Sequence, residues 1–147
     1  MAGYINVSGL KFKLPVKPKK KDILFSDLNK KSQKWMRTEM PDGLNVDTVS
    51  KYSWFIDQEF ERRNNGVWFM NNGEPTYITG EHYYYLNWCK MDIGYPEYRD
   101  RDRRFFIFWE ICKKDPDCFG MIMVKHRREG ASYKGASMLL HEITSRY

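Results

Sequence analysis

The segment 119–146 constrains the fold more than any other part of the chain. It begins with a short apolar run, Phe119–Val124, which is bounded by turn signals and is typical of a buried β-strand. The basic stretch Lys125–Ser132 follows, and Tyr133–Arg146 is compatible with a helix. Strand, basic loop and helix in this order predict a phosphate-binding loop, because a helix N-terminus offers unpaired amides and a positive dipole end to an anion.

This loop departs from the usual pattern, G-x-x-x-x-G-K-[ST]. Gly130 and Ser132 match it, but Ala131 stands at the lysine position and Lys125 at the position of the first glycine. The first and penultimate residues of such a loop both lie at the mouth of the anion site, so a lysine at either end reaches the β- and γ-phosphates. Gly130 lets the backbone approach the phosphate closely. The Ser132 hydroxyl is predicted to ligate Mg²⁺.

The spacing Lys125-x-x-Arg128-x-Gly130-x-Ser132 resembles the deviant Walker A motif of lambda-type terminase large subunits, in which the lysine stands at the start of the loop. These proteins are the ATPases that package phage DNA. The resemblance implies that ATP and Mg²⁺ are cofactors, with Lys125 and Arg128 acting in catalysis and Ser132 holding the metal through ATP. The nucleotide-binding residues of the loop would then be Lys125, His126, Arg127, Arg128, Glu129, Gly130, Ala131, Ser132 and Tyr133.

Two of these loop residues have alternative interpretations. His126 either donates to phosphate or is a solvated residue beside the arginines, and Glu129 either acts as a general base or pairs with Arg127. His141, on the following helix, is expected to be structural.

Two upstream segments extend the resemblance. Gly73–Leu86 and Tyr98–Phe106 are similar to the start of terminases from crAss-like and related phages of Bacteroides, so the likeness covers roughly residues 50–147. Terminases carry an adenine-recognition motif before the first strand, and Arg101 and Asp102 stand in its place. A carboxylate could accept from the adenine amine and an arginine could stack on the ring. The alternative is a set of i,i+3 and i,i+4 ion pairs on an exposed helix face.

The resemblance and the local patterns together predict an α/β protein in three regions. Residues 1–46 form a basic arm and connector, 47–118 a mainly helical region with a β-hairpin and the adenine-side motif, and 119–147 the first strand, phosphate loop and helix of an incomplete P-loop ATPase domain of the ASCE type. In the arm, residues 1–21, the run Lys17, Lys19, Lys20 and Lys21 contributes much of the net charge of +6, and this charge favours an anionic partner. The arm either touches DNA or a neighbouring subunit, or is a solvated tail, and the tail is favoured.

Four elements are predicted between the arm and the strand. A helix spans 48–63, with Asp47 or Thr48 as cap, and a hairpin turns at Asn72-Gly73 between 67–70 and 76–78. A second helix, capped by Thr79, runs to Lys90, and its tyrosines 83–85 are assigned to the core rather than to base stacking. A third helix spans 100–114, with one face formed by Phe105, Phe108, Trp109 and Cys112.

Several function classes are disfavoured by what the sequence lacks. It has no apolar run of membrane-spanning length and no signal-peptide pattern, and its three cysteines form no CxxC pair, so reduced thiols in the host cytoplasm are expected. No acidic Walker B strand and no nuclease carboxylates are recognisable, so the chain alone is expected to hydrolyse no ATP.

The terminase resemblance also implies partners and a place of action. These are double-stranded phage DNA, the portal and procapsid, a small terminase subunit and a homo-oligomeric ring, with transient residence at the portal. Two other functions are compatible with the sequence: a non-enzymatic nucleic-acid-binding module, and the front of another P-loop motor such as a helicase.

Overall fold

A computed structural model describes residues 3–27, 35–125, 127 and 130–145. The protein is a mixed α/β structure with four α-helices and two small antiparallel hairpins within these ranges. The strands are β1 (Tyr4–Val7), β2 (Leu10–Lys13), β3 (Val67–Asn71) and β4 (Glu74–Ile78), and the helices are α1 (Ser53–Asn65), α2 (Gly80–Trp88), α3 (Asp100–Lys114) and α4 (Ala131–Ser145). Short 3-10 turns occupy Lys20–Asp22 and Val49–Tyr52.

The predicted hairpin is confirmed. Strands β3 and β4 pair from Val67 opposite Ile78 to Asn71 opposite Glu74. Asn72 and Gly73 form the turn with φ of 49° and 84°, the left-handed backbone that a tight two-residue hairpin requires. A third segment joins the β3 edge, because Leu24 exchanges backbone hydrogen bonds of 3.1 and 2.9 Å with β3.

Helix α2 lies at the centre of the protein. The Thr79 hydroxyl accepts from the His82 amide at 3.3 Å, which confirms the predicted cap, and every residue from 80 to 87 is buried. The core assignment of Tyr83–Tyr85 is therefore confirmed and the base-stacking alternative is wrong. Helix α1 packs beside α2 so closely that a Cβ on Gly80 would collide with the Arg63 carbonyl.

The interpretation of the arm, residues 1–21, as a solvated tail is wrong for residues 4–13. Strands β1 and β2 form a hairpin whose inward side chains, Val7 and Phe12, are buried against Tyr77 and Ile107. The lysines of β2 face outward, on either side of the buried Phe12. This alternation is typical of a strand with one buried face, but the high lysine content of the segment favoured a solvated tail. Burial of this apolar face ties the N-terminal region to α3.

The predicted apolar face of α3 is confirmed at Cys112, which is buried, but not at Phe105, Phe108 and Trp109. Phe106 and Ile107 are the fully buried residues, whereas Phe105 and Phe108 are only partly buried. The reason is that α3 packs on two sides at once: Phe106 contacts the α2 cluster and Ile107 the β1–β2 hairpin.

The predicted strand at Phe119–Val124 is absent. The segment has no regular secondary structure, and Phe119, Ile122 and Val124 are almost fully exposed. A buried strand needs backbone partners on a sheet, and within the described ranges both hairpins lie elsewhere in the chain. The predicted helix after it is confirmed as α4.

Candidate functional site

The predicted phosphate loop leads into the N-terminus of α4. Gly130 has φ of 73°, and its carbonyl accepts from the Lys134 amide at 3.1 Å, which is the first hydrogen bond of the helix. The amides of residues 131–133 precede that bond, so they are the donors that a helix start leaves without an intrahelical partner. Three further residues of the predicted loop lie close to Gly130 in sequence and have exposed side chains: Lys125, Arg127 and Ser132. Predicted loop residues His126, Arg128 and Glu129 lie outside the described residues.

A buried ion pair fixes the start of α4 against α3. The ammonium of Lys134 lies 3.0 Å from the Asp102 carboxylate, and the two side chains are only 5% and 7% exposed. The same ammonium lies over the Phe105 ring, 4.9 Å from its centroid. On the outer side, the Tyr133 hydroxyl contacts Asp92 at 3.3 Å. The first turn of α4 is thus held on both sides.

This ion pair joins two regions that the sequence assigned to one nucleotide site. Asp102, the predicted adenine contact, pairs with Lys134. Lys134 lies in the first turn of α4, directly after the predicted phosphate loop. It does not lie on an exposed helix face, so the alternative of surface i,i+3 and i,i+4 pairing is wrong for this residue. Arg101 is exposed. Contact of either residue with adenine stays a prediction.

Tyr83 belongs to a buried polar network instead of a contact surface. Its hydroxyl donates to Glu59, whose other carboxylate oxygen accepts from Trp88 Nε1 at 2.7 Å and pairs with Arg63 at 3.3 Å. Burial, followed by the hydrogen bond to Glu59, raises the pKa of the Tyr83 phenol far above its usual value. This network joins α1 to α2.

A second polar cluster was not anticipated from the sequence. The Lys113 ammonium contacts carboxylate oxygens of Glu81 at 2.8 Å, Glu110 at 3.2 Å and Glu142 at 3.6 Å. The His141 Nδ1 atom lies 3.7 Å from Glu81. Because these residues come from α2, α3 and α4, no local spacing signals the cluster.

Electrostatics in this cluster follow from burial. Burial raises the pKa of the Glu81 carboxyl, although its hydrogen bond to Lys113 opposes the shift. Burial also lowers the pKa of His141. For Lys113 burial acts to lower the pKa, but the hydrogen bond and charge of Glu81 outweigh it and the pKa is raised. At neutral pH the lysine is therefore charged and the imidazole neutral.

Comparison with known proteins found no family model, no curated protein and no solved structure that matches the chain. Functional interpretation therefore depends on the residues themselves. Throughout the described ranges, none of the helices combines the length and the apolar character needed to cross a membrane.

Proposed function

We propose that this chain carries the ATP-binding loop of a phage terminase large subunit, the motor that uses ATP hydrolysis to move double-stranded DNA into a procapsid. The observation that supports this most is the passage from the basic segment at Lys125 and Arg127, through the left-handed Gly130, into the N-terminus of the 15-residue helix α4. Backbone amides and a helix dipole, with cationic side chains close by in sequence, favour a polyphosphate.

Three loop residues, Lys125, Arg128 and Ser132, have side-chain roles in this proposal. Lys125 and Arg128 neutralise the charge of the β- and γ-phosphates, and the amides at the start of α4 bind phosphate oxygens. Ser132, the second residue of α4, contributes its hydroxyl to the Mg²⁺ that bridges the phosphates. Arg101 contacts the adenine side, and the buried Asp102–Lys134 pair keeps that side aligned with the phosphate loop.

Exposed apolar side chains beside the loop also support an ATPase domain. Ile122 and Val124 precede the loop, and Leu139 and Ile143 lie on the outer face of α4; all are more than 60% exposed. In a P-loop ATPase the helix after the loop is covered and the segment before it is a strand of a sheet, so Phe119–Val124, which is not a strand by itself, would become one only by pairing with further strands. We therefore propose that these side chains are buried in the assembled motor.

The alternative of a nucleic-acid-binding module loses its proposed aromatic surface, because Tyr83, Tyr84 and Tyr85 are buried. Another P-loop motor, such as a helicase, would use the same loop chemistry. Terminase is preferred because the lysine position and the two upstream segments resemble that family. Double-stranded DNA, the portal with its procapsid, a small terminase subunit and a ring of identical subunits are its proposed partners.

Amide chemical-shift mapping tests nucleotide binding directly. Adding Mg·ATP to the ¹⁵N-labelled 147-residue chain should shift the amides of Gly130, Ala131 and Ser132 well beyond the shifts caused by equal ionic strength of NaCl. Lys125→Ala should weaken this response about tenfold, the loss expected for one charge-assisted phosphate contact of about 1.5 kcal/mol. Lys17→Ala, which removes a lysine of the arm, should not change it. Shifts confined to the arm lysines, or no shifts at the start of α4, would refute nucleotide binding here.

Packaging distinguishes a terminase from other motors. In the phage that encodes the chain, Lys125→Ala should stop DNA filling of procapsids while Lys17→Ala permits it. Normal filling with Lys125→Ala would refute the terminase assignment even if Mg·ATP binds. Filling is measured as nuclease-protected DNA in purified particles.

A further inference from the structure

We propose that Glu81, His141 and Glu142 form a binding site for one divalent transition-metal ion of the zinc class. The three side chains lie where α2 and α4 meet, next to the C-terminal ends of α1 and α3. This site is separate from the proposed nucleotide loop and does not depend on the proposed function.

The ligand atoms have nearly the spacing that a metal ion requires. One donor atom from each of Glu81, His141 and Glu142 lies within 4.8 Å of the others, and His141 Nδ1 is 3.7 Å from a Glu81 oxygen. Two ligand atoms of a tetrahedral zinc ion lie about 3.4 Å apart, since each bond is about 2.0 to 2.2 Å long. A closure of up to about 1.4 Å completes the set, and rotation of the partly exposed Glu142 side chain can supply it.

Unsatisfied buried atoms point to a missing ligand. Glu81 Oε2, His141 Nδ1 and Ser145 Oγ are all buried without a hydrogen-bond partner among the described residues, and Glu81 and His141 are only 2% and 7% exposed. Buried polar atoms are normally paired, because leaving one unpaired costs about 1 to 3 kcal/mol. Two of these three atoms are typical metal ligands.

The histidine is oriented as in metal sites. His141 Nε2 lies 2.7 Å from the Arg63 carbonyl oxygen. A carbonyl only accepts, so Nε2 carries the hydrogen and donates it, which leaves the lone pair on Nδ1 directed at the carboxylates. Ligand histidines characteristically donate their second ring nitrogen to a backbone carbonyl or carboxylate.

Charge balance also favours a divalent cation. The carboxylates of Glu81, Glu110 and Glu142 surround the ammonium of Lys113, so acidic groups outnumber basic ones in this cluster. Lys114 approaches Glu110 only from the solvent side, where it is 69% exposed. Glu81 Oε1 accepts from Lys113 and is also the oxygen 3.7 Å from His141 Nδ1, so the unpaired Oε2 reaches the metal by rotation of the carboxylate.

The donor set selects the class of metal. An imidazole with two carboxylates matches the nitrogen and oxygen ligands of zinc, with water in the fourth position. Magnesium and calcium prefer six or more oxygen ligands. The cavity beside the cluster measures about 160 Å³, which is room for an ion and a water of about 30 Å³. A metal here would bridge α2 to α4.

Titration calorimetry with ZnCl₂ on the chelator-treated 147-residue chain tests the site. We expect one equivalent to bind, and His141→Ala and Glu142→Gln each to weaken binding at least tenfold. Glu142 is 30% exposed on its side chain, so Glu142→Gln should fold even if His141→Ala does not; circular dichroism verifies this. Glu97→Gln, which alters an exposed carboxylate elsewhere, is the matched control.

Cobalt distinguishes this site from binding by the free thiols Cys89, Cys112 and Cys118. Co²⁺ held by nitrogen and oxygen ligands gives weak visible bands without the intense near-ultraviolet band of thiolate ligation. Failure of the folded wild-type chain to bind zinc, equal binding by Glu142→Gln, or a thiolate band would each refute the proposed site.

Discussion

The ammonium of Lys134 lies 3.0 Å from the carboxylate of Asp102, and both side chains are buried. This pair connects the first turn of α4 to the first turn of α3. Taking these two charges out of water costs free energy, and their mutual attraction offsets that cost only while both are present. Loss of either partner should therefore destabilise the fold. The same contact physically links the predicted adenine side to the predicted phosphate side.

Lys134→Met should lower the free energy of unfolding by about 3 to 5 kcal/mol, because it leaves the Asp102 charge buried without a partner. The double variant Asp102→Asn, Lys134→Met should recover part of that loss, since no buried charge remains. Urea denaturation of the two single variants and the double variant gives the coupling energy. Additive losses would show that the pair is not coupled.

Local signals in the sequence predicted most of the individual elements. The helical spacing of α1, the Asn72-Gly73 turn and the Thr79 cap each depend on interactions within a few residues, and all three are present. The helix at 48–63 was only partly right, because Val49–Tyr52 forms a 3-10 turn and the α-helix starts at Ser53.

Contacts between distant elements were not accessible to the same reasoning. The buried face of α3 depends on which neighbours cover it, and the Glu81–Lys113–His141 cluster is assembled from three helices. Phe119–Val124 has the composition of a strand, but strand formation requires a pairing partner that composition cannot supply. Within the candidate site, sequence indicated the loop residues but not the Asp102–Lys134 contact.

Gly80→Ala should destabilise the protein by about 2 kcal/mol or more, because the added methyl group would collide with the Arg63 carbonyl and force α1 and α2 apart. Gly135→Ala is a matched control inside α4. A Cβ there meets nothing within 4 Å, so the higher helix propensity of alanine should stabilise by up to about 1 kcal/mol. Thermal unfolding tests whether Gly80→Ala lowers the melting temperature and Gly135→Ala raises it.

Tyr83→Phe should cost about 1 to 3 kcal/mol, because the Glu59 oxygen that accepts from the phenol stays buried without that donor. Tyr133→Phe is the comparison: its hydroxyl contacts Asp92 at an exposed site, where water can replace it, so the change should stay within about 0.5 kcal/mol. Urea unfolding measures both. Equal effects would mean that the Glu59 network contributes nothing beyond a surface contact.

His82 should make stability depend on pH. The ring is fully buried between Phe106 and Tyr98, and neither nitrogen has a hydrogen-bond partner among the described residues. Burial, with the positive charges of Arg103 and Lys134, lowers its pKa from 6.5 to about 3. Below pH 6.5 the unfolded chain binds a proton that the folded chain rejects, so the free energy of unfolding falls by up to about 1.4 kcal/mol per pH unit until pH approaches 3.

His82→Phe removes this titration while keeping the stacked ring. Between pH 6.5 and 5 the wild type should lose about 1.6 kcal/mol more than the variant, a difference measured by urea unfolding at each pH. Between pH 7 and 8 the two curves should run parallel, since His82 is neutral there in both the folded and unfolded states. Parallel curves down to pH 5 would show instead that His82 titrates normally in the folded protein, which would require water or a hydrogen-bond acceptor to reach the ring.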